Sequence, residues 1–94
     1  MPRYVIERAI PAIGSAERDQ LRAAAQKSNA VLAEMKAERK SIQWEHTYVA
    51  GDKTFCIYLA DSEALIHEHA QRSGFPATHV TEVRRMIDPV TAEG

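Results

Sequence analysis

The stretch that most constrains this chain is Ile42 to Leu59, Ile-Gln-Trp-Glu-His-Thr-Tyr-Val-Ala-Gly-Asp-Lys-Thr-Phe-Cys-Ile-Tyr-Leu. Aromatic and β-branched residues alternate with polar ones on both sides of Gly51-Asp52, which is the pattern of two strands around a tight turn. The stretch holds the only Trp, the only Cys and two of the three Tyr. A Gly-Asp pair suits a two-residue type II′ loop, with Gly at the first central position. That register sets Tyr48 opposite Phe55, His46 opposite Ile57 and Trp44 opposite Leu59. Alternation gathers these residues and Ile42 on one apolar face. Gln43, Glu45, Thr47, Val49, Thr54, Cys56 and Tyr58 fall on the other. A three-residue loop would put His46 beside Cys56 and scatter the apolar residues over both faces. The two-residue register makes the cleaner core.

Each side of the hairpin reads as a strand joined to a helix. Arg3 to Ala9 is short and β-rich, ended by Pro11 and Gly14. Ser15 suits an N-cap, and Glu17 sits where a helix dipole favours a negative charge. Good helix formers fill residues 16–37. Leu21, Ala25, Ser28, Leu32 and Met35 recur at helical spacing on one stripe. Its many alanines would let the helix sit close to what it covers. After the hairpin, Asp61 or Ser62 caps a second helix with Glu63 in its first turn and Leu65, Ile66, His69 and Ala70 on its buried stripe. Gly74 is the left-handed stop, Phe75 folds back on Ala70, and Pro76 prevents continuation. His79 to Ile87 is the last strand, with Val80 and Val83 on opposite faces, and residues 89–94 make a frayed tail.

Strand–helix–strand twice over, joined by a hairpin, is the split βαβ or ferredoxin-like order, βαββαβ. Right-handed crossovers put both helices on one face of a four-stranded antiparallel sheet of order 4-1-3-2. The expected class is α+β, one domain over residues 1–94. The helix-facing side takes Trp44, His46, Tyr48, Phe55, Ile57, Leu59, Tyr4 and Ile6. The open side takes Val5, Glu7, Glu45, Thr47, Val49, Cys56, Tyr58, Glu82 and Arg84. This mixed face suggests cover by a second copy, packed sheet to sheet.

Composition excludes several classes. The net charge of −1 and the lack of a basic stripe exclude a nucleic-acid partner. One Cys forms no intrachain disulfide and fits a reducing compartment. No signal-peptide pattern and no spanning segment is present, so the expected setting is cytoplasmic, without a membrane partner.

The run Pro2-Arg3-Tyr4-Val5-Ile6-Glu7-Arg8, the strands Trp44-Glu45-His46-Thr47-Tyr48-Val49 and Lys53-Thr54-Phe55-Cys56-Ile57-Tyr58, and Gly74-Phe75-Pro76-Ala77 before the last strand resemble the bacterial domain-of-unknown-function 4242 family. The resemblance covers nearly the whole chain. It implies a small ferredoxin-like dimer, and a nickel-binding member implies nickel or another divalent metal as cofactor. It assigns no metal ligands to particular residues of this chain and no enzymatic motif.

Among the residues themselves, His46, Glu45 and Cys56 carry donor atoms suited to Ni²⁺ or Zn²⁺. Alternation, however, points Glu45 and His46 to opposite faces, and the two-residue register sets Cys56 opposite to His46. A metal at His46 therefore needs the other register or a ligand from a helix; otherwise His46 is a half-buried histidine bonded locally. His67 and His69, two apart on a helix, do not chelate, whereas Glu63 and His67 face each other at i, i+4. That pair reads as a weak metal site or a solvated helix face. Cys56 lacks an activating partner and reads as a small core residue. Glu7, Glu45, Thr47, Cys56, Tyr58 and Arg84 form a candidate ligand-binding set on the open face, either for acid–base work or as ion pairs across an interface. No phosphate loop, nucleophile elbow or clustered Cys motif exists. The leading reading is a small cytoplasmic homodimeric binding protein for nickel or another divalent metal, with metal candidates His46, Glu63 and His67. The rival is a cofactor-free enzyme or small-ligand binder that uses the cavity of a dimeric α/β barrel. No catalytic residue is assigned, and a structural module without ligand is the third reading.

Overall fold

Alternation and helical periodicity resolve into one sheet and two helices in the computed structural model, which describes residues 1–94. In chain order the strands are β1 (Arg3–Ala9), β2 (Ile42–Val49), β3 (Lys53–Ala60) and β4 (His79–Val83), and the helices are α1 (Arg18–Ala37) and α2 (Glu63–Ser73). The strand order is β2-β3-β1-β4, all antiparallel, which is the ferredoxin-like α+β arrangement the sequence order requires. No helix is long and apolar enough to cross a membrane.

Element ends follow local chemistry. A 3₁₀ turn at Ile13–Ser15 precedes α1, so the helix starts at Arg18 with Glu17 as its cap. The Gln20 side chain accepts from the Glu17 backbone N–H at 2.8 Å, closing a capping box in place of the expected Ser15 cap. Gly74 stops α2 with φ of 78° and donates to Ala70 O at 2.9 Å, as its position predicts. β4 is shorter than expected. Its Val83 pairs with Arg3, the first residue of β1, so Arg84–Ile87 have no strand left to pair with. Residues 89–93 form a capped 3₁₀ turn with every residue exposed.

The hairpin keeps the two-residue loop: Val49 pairs with Thr54, Tyr48 with Phe55 and His46 with Ile57. Gly51 lacks the positive φ a type II′ turn needs, since Gly74 is the one glycine in that region. Further down the strand the register shifts. A bulge at Glu45 sets Trp44 opposite Tyr58 rather than Leu59. One extra residue exchanges the faces on either side of it. Ile42 and Trp44 therefore share a side with Thr47 and Val49, while His46 and Tyr48 turn away.

This corrects the expected facing of the hairpin. Tyr4, Ile6 and Arg8 of β1 point to the helices, paired with Tyr58, Cys56 and Thr54, all buried. Cys56, Tyr58, Thr47 and Val49 thus lie on the covered side, not the open one. Phe55, Ile57, Leu59, His46 and Tyr48 lie on the open side, not the covered one. Glu82 pairs with Tyr4 and shares its side, and Arg84 lies beyond β4 and meets only Glu82, at 3.6 Å. Val5, Glu7 and Glu45 keep the predicted open side.

The core sits where the C-terminal half of α1 meets α2 and the sheet. Ile6, Met35, Ala60 and Ile66 are sealed from solvent, with Val31 and Ile42 beside them. Arg72 of α2 reaches Glu38, the C-cap of α1, at 2.7 Å, and Lys40 bonds Glu68 at 2.6 Å, pinning the helices together at this end. Hydrogen bonds from Arg72 and Lys40 hold the Glu38 carboxyl down at about 2.

Candidate functional site

The open face carries the first group of candidate residues. Val5, Phe55, Ile57, Leu59 and Val83 form a half-buried apolar patch, and Tyr48 beside them is 63% exposed. Ion pairs rim the patch. Arg3 reaches across Leu59 to Glu45 at 2.6 Å, and that bond holds the Glu45 carboxyl below its usual range. Glu7 meets Lys53 at 3.3 Å and His79 at 3.6 Å. The His79 pairing escaped the sequence reading. The β1–β4 register sets Glu7 opposite His79, and that register was the signal that could have found it. His46 stands edge-on to Tyr48, with ring centroids 5.0 Å apart.

On the helix side, Glu63 Oε2 lies 3.1 Å from His67 Nε2, the i, i+4 pair read from the spacing. His46 does not join it. Nowhere do three His, Cys, Asp or Glu side chains gather as a metal cluster. Glu63–His67 and Glu7–His79 offer the imidazole and carboxylate donors that Ni²⁺ accepts, so they fit nickel in type. They do not fit it in number, since each place supplies two donors from one chain.

A second arrangement lies beneath α1. The N-terminal half of that helix presents Leu21, Ala24, Ala25 and Ser28, and the sheet opposite presents Thr47, Thr54 and Cys56. Small side chains meeting small side chains leave a cavity of about 250 Å³ between the layers. The alanine stripe, expected to bring the helix close, instead leaves this space. Ile10 and Ile13 wall its mouth. Their loop is held to the hairpin turn by Ile10 N–H to Asp52 O at 2.9 Å and Gly14 N–H to Gly51 O at 2.8 Å. Trp44 forms another wall, stacked on Tyr58 and donating to Thr47 Oγ1 at 2.9 Å.

Buried polar groups line the inner end. Ser28 Oγ lies 3.1 Å from both Tyr58 OH and His69 Nε2. Burial, with the nearby Arg8 charge, lowers the His69 pKa to about 4, so the ring is neutral at pH 7. Burial raises the Tyr58 phenol above its usual range. His69 is thus the packed histidine its stripe suggested. Arg8, 3% exposed, donates through Nη1 to Pro76 O at 2.8 Å and has the Phe75 ring 5.8 Å from its guanidinium carbon. Lys27 takes the same ring at 5.6 Å, so Phe75 lies within reach of two cations. Arg8 also went unread from the sequence, although strand parity puts it with Tyr4 and Ile6.

Fold and site together define a small ferredoxin-like protein with one uncovered sheet face and paired, not clustered, metal-type donors. The chain belongs to the SCO4226-like family, whose model, described as nickel responsive protein SCO4226-like, matches residues 4–83. This is the family shown where the sequence had suggested resemblance to domain-of-unknown-function 4242. Among solved structures, SCO4226 from Streptomyces coelicolor A3(2) is similar, with a TM-score of 0.71 and 19% identity, over 90% of this chain and 99% of that one. At that identity the likeness shows the fold. A search of curated proteins found no match.

Proposed function

We propose that this protein is a homodimeric, nickel-responsive binding protein whose two chains meet through the open faces of their sheets. The observation that carries the reading is the facing of β3. Its larger apolar residues, Phe55, Ile57 and Leu59, point away from the helices, while Thr54, Cys56, Tyr58 and Ala60 point toward them. An apolar patch with a rim of ion pairs is the anatomy of an interface rather than of a solvated sheet. A twofold axis would set the same patch against itself. The free, buried Cys56 supports a cytoplasmic setting.

Nickel or a similar divalent ion is the proposed ligand, supported by the family description and by the two donor pairs. Glu63 and His67 give a two-donor place on the surface of each chain. Glu7 and His79 stand on the rim of the proposed interface, where a second chain can add donors. Light scattering checks the dimer. The native chain is expected at twice its monomer mass at tens of micromolar, and Ile57→Lys with Phe55→Asp at the monomer mass. A monomeric native chain overturns the interface. Thermal melting checks the metal, since a ligand that binds only the folded state raises Tm. Millimolar Ni²⁺ should raise Tm in the native chain, less with His67→Ala, and not with His67→Ala and His79→Ala together. An unmoved native Tm overturns nickel binding.

A further inference from the structure

We propose that the cavity between α1 and the sheet is a binding site for a small apolar carboxylate, its carboxylate group taken by Arg8 and its body lying among Ile13, Leu21, Ala25 and Trp44. The starting observation is the charge of Arg8. Arginine is almost never fully buried unless paired, because desolvating an unpaired charge costs several kcal/mol. Arg8 is 3% exposed, yet no carboxylate stands within ion-pair distance of it. Its Nη1 donates to the Phe75 and Pro76 carbonyls, which are dipoles and leave the charge uncompensated.

The direction of the remaining donors follows by elimination. No buried side-chain nitrogen or oxygen lacks a partner, and Arg8 is one of the residues lining the cavity. The other guanidinium nitrogens find no carbonyl or carboxylate in the chain, and the space we assign to them is the cavity that Arg8 lines, with the Tyr58 hydroxyl within reach. A planar fork of N–H donors matches the two oxygens of a carboxylate.

The walls select the rest of the ligand. Ten of the 14 lining residues are hydrophobic, and none is Asp or Glu, so the body must be apolar and a single anion meets no repulsion. One cation neutralises one negative charge, which disfavours a phosphate dianion. Ser28 and Tyr58 are bonded to each other, and Ser28 also to His69, so Arg8 is the main free anchor. The volume of about 250 Å³ lies just under the usual ligand-pocket range of roughly 300–1,000 Å³, which fits a short chain or a single ring.

Trp44, the one tryptophan, stands in the wall and reports occupancy by its emission. Octanoate and octanol have the same apolar body with and without the charge. In metal-free protein at pH 7, octanoate should shift Trp44 emission saturably, with half-saturation below about 1 mM, and octanol about tenfold or more weaker. Arg8→Gln should remove the difference between the two. Ala25→Leu fills the cavity from the helix side without touching Arg8 and should abolish both shifts. Octanol saturating as readily as octanoate overturns the assignment. So does undiminished octanoate binding by Ala25→Leu, or an unmoved Trp44 emission in the native chain. Should Arg8→Gln fail to fold, the two-ligand comparison and Ala25→Leu decide the matter alone.

Discussion

The two ends of α1 rest on the same sheet and are built differently. At the C-terminal end, Met35 and Val31 fill the space against Ile42, Ala60 and Ile66, with Met35 and Ala60 at 0% exposure. At the N-terminal end, Ala24, Ala25 and Ser28 face Thr54 and Cys56 across a cavity. One helix thus serves as a core element along half its length and as the roof of a cavity along the other. Stability is concentrated where side chains are large. Polar chemistry is concentrated where they are small, because only there is there room for buried hydroxyls, an imidazole and a guanidinium.

Substitution can break this contrast, and the largest effect belongs at the packed end. Met35→Ala should cost about 3 kcal/mol, within the usual range for a sealed methionine, measured by urea denaturation. A cost under about 1 kcal/mol would mean that the C-terminal end is as loose as the other.

The polar end should show itself through pH. His69 has its folded pKa lowered to about 4 from 6.5. The unfolded chain therefore takes up a proton first as pH falls. The stabilising contribution of a neutral His69 is complete above pH 6.5 and is lost as pH drops from there toward 4. The loss should be on the order of 2 kcal/mol, after allowance for partial solvent screening. His69→Gln, which does not titrate, should flatten that part of the profile in stability measured between pH 4 and 7. An unchanged slope would remove His69 from the account.

The smallest expected effect is at the wall between the regions. A fully packed tryptophan costs roughly 3–5 kcal/mol on truncation to alanine. Trp44 is half-buried and borders empty space, so Trp44→Ala should cost about 1–2 kcal/mol. A loss matching that of Met35→Ala would show the cavity wall to be as tightly packed as the core.

Much of this architecture was legible in the sequence, for reasons that differ by element. Strand and helix order followed from period and caps, and Gly51-Asp52 fixed the near end of the hairpin, so the sheet order came out correctly. The facing of β3 did not. Alternation in Phe55, Ile57 and Leu59 says that these residues want cover, but a helix and a second chain provide the same kind of cover. The bulge at Glu45 left no signal, with no Gly or Pro beside it, yet it exchanges the faces of half of β2. Side-chain pairing was legible where one element holds both partners, as in Glu63 and His67. It was missed where two strands meet, as in Glu7 and His79. Arg8 was passed over because a charge in a strand is ordinarily assigned to solvent.

The bulge at Glu45 has a consequence for how copies of this chain can meet. β2 is an edge strand, and its unpaired backbone groups are a template on which another chain's strand could grow. The extra residue breaks the regular spacing of those groups midway along the strand, and its side chain is held by Arg3. At the opposite edge β4 is only five residues long, with charges at Glu82 and Arg84 around its end. Both borders are thus poor seeds for a growing fibril, which is consistent with the proposed closed pair through the apolar face rather than an endless ribbon.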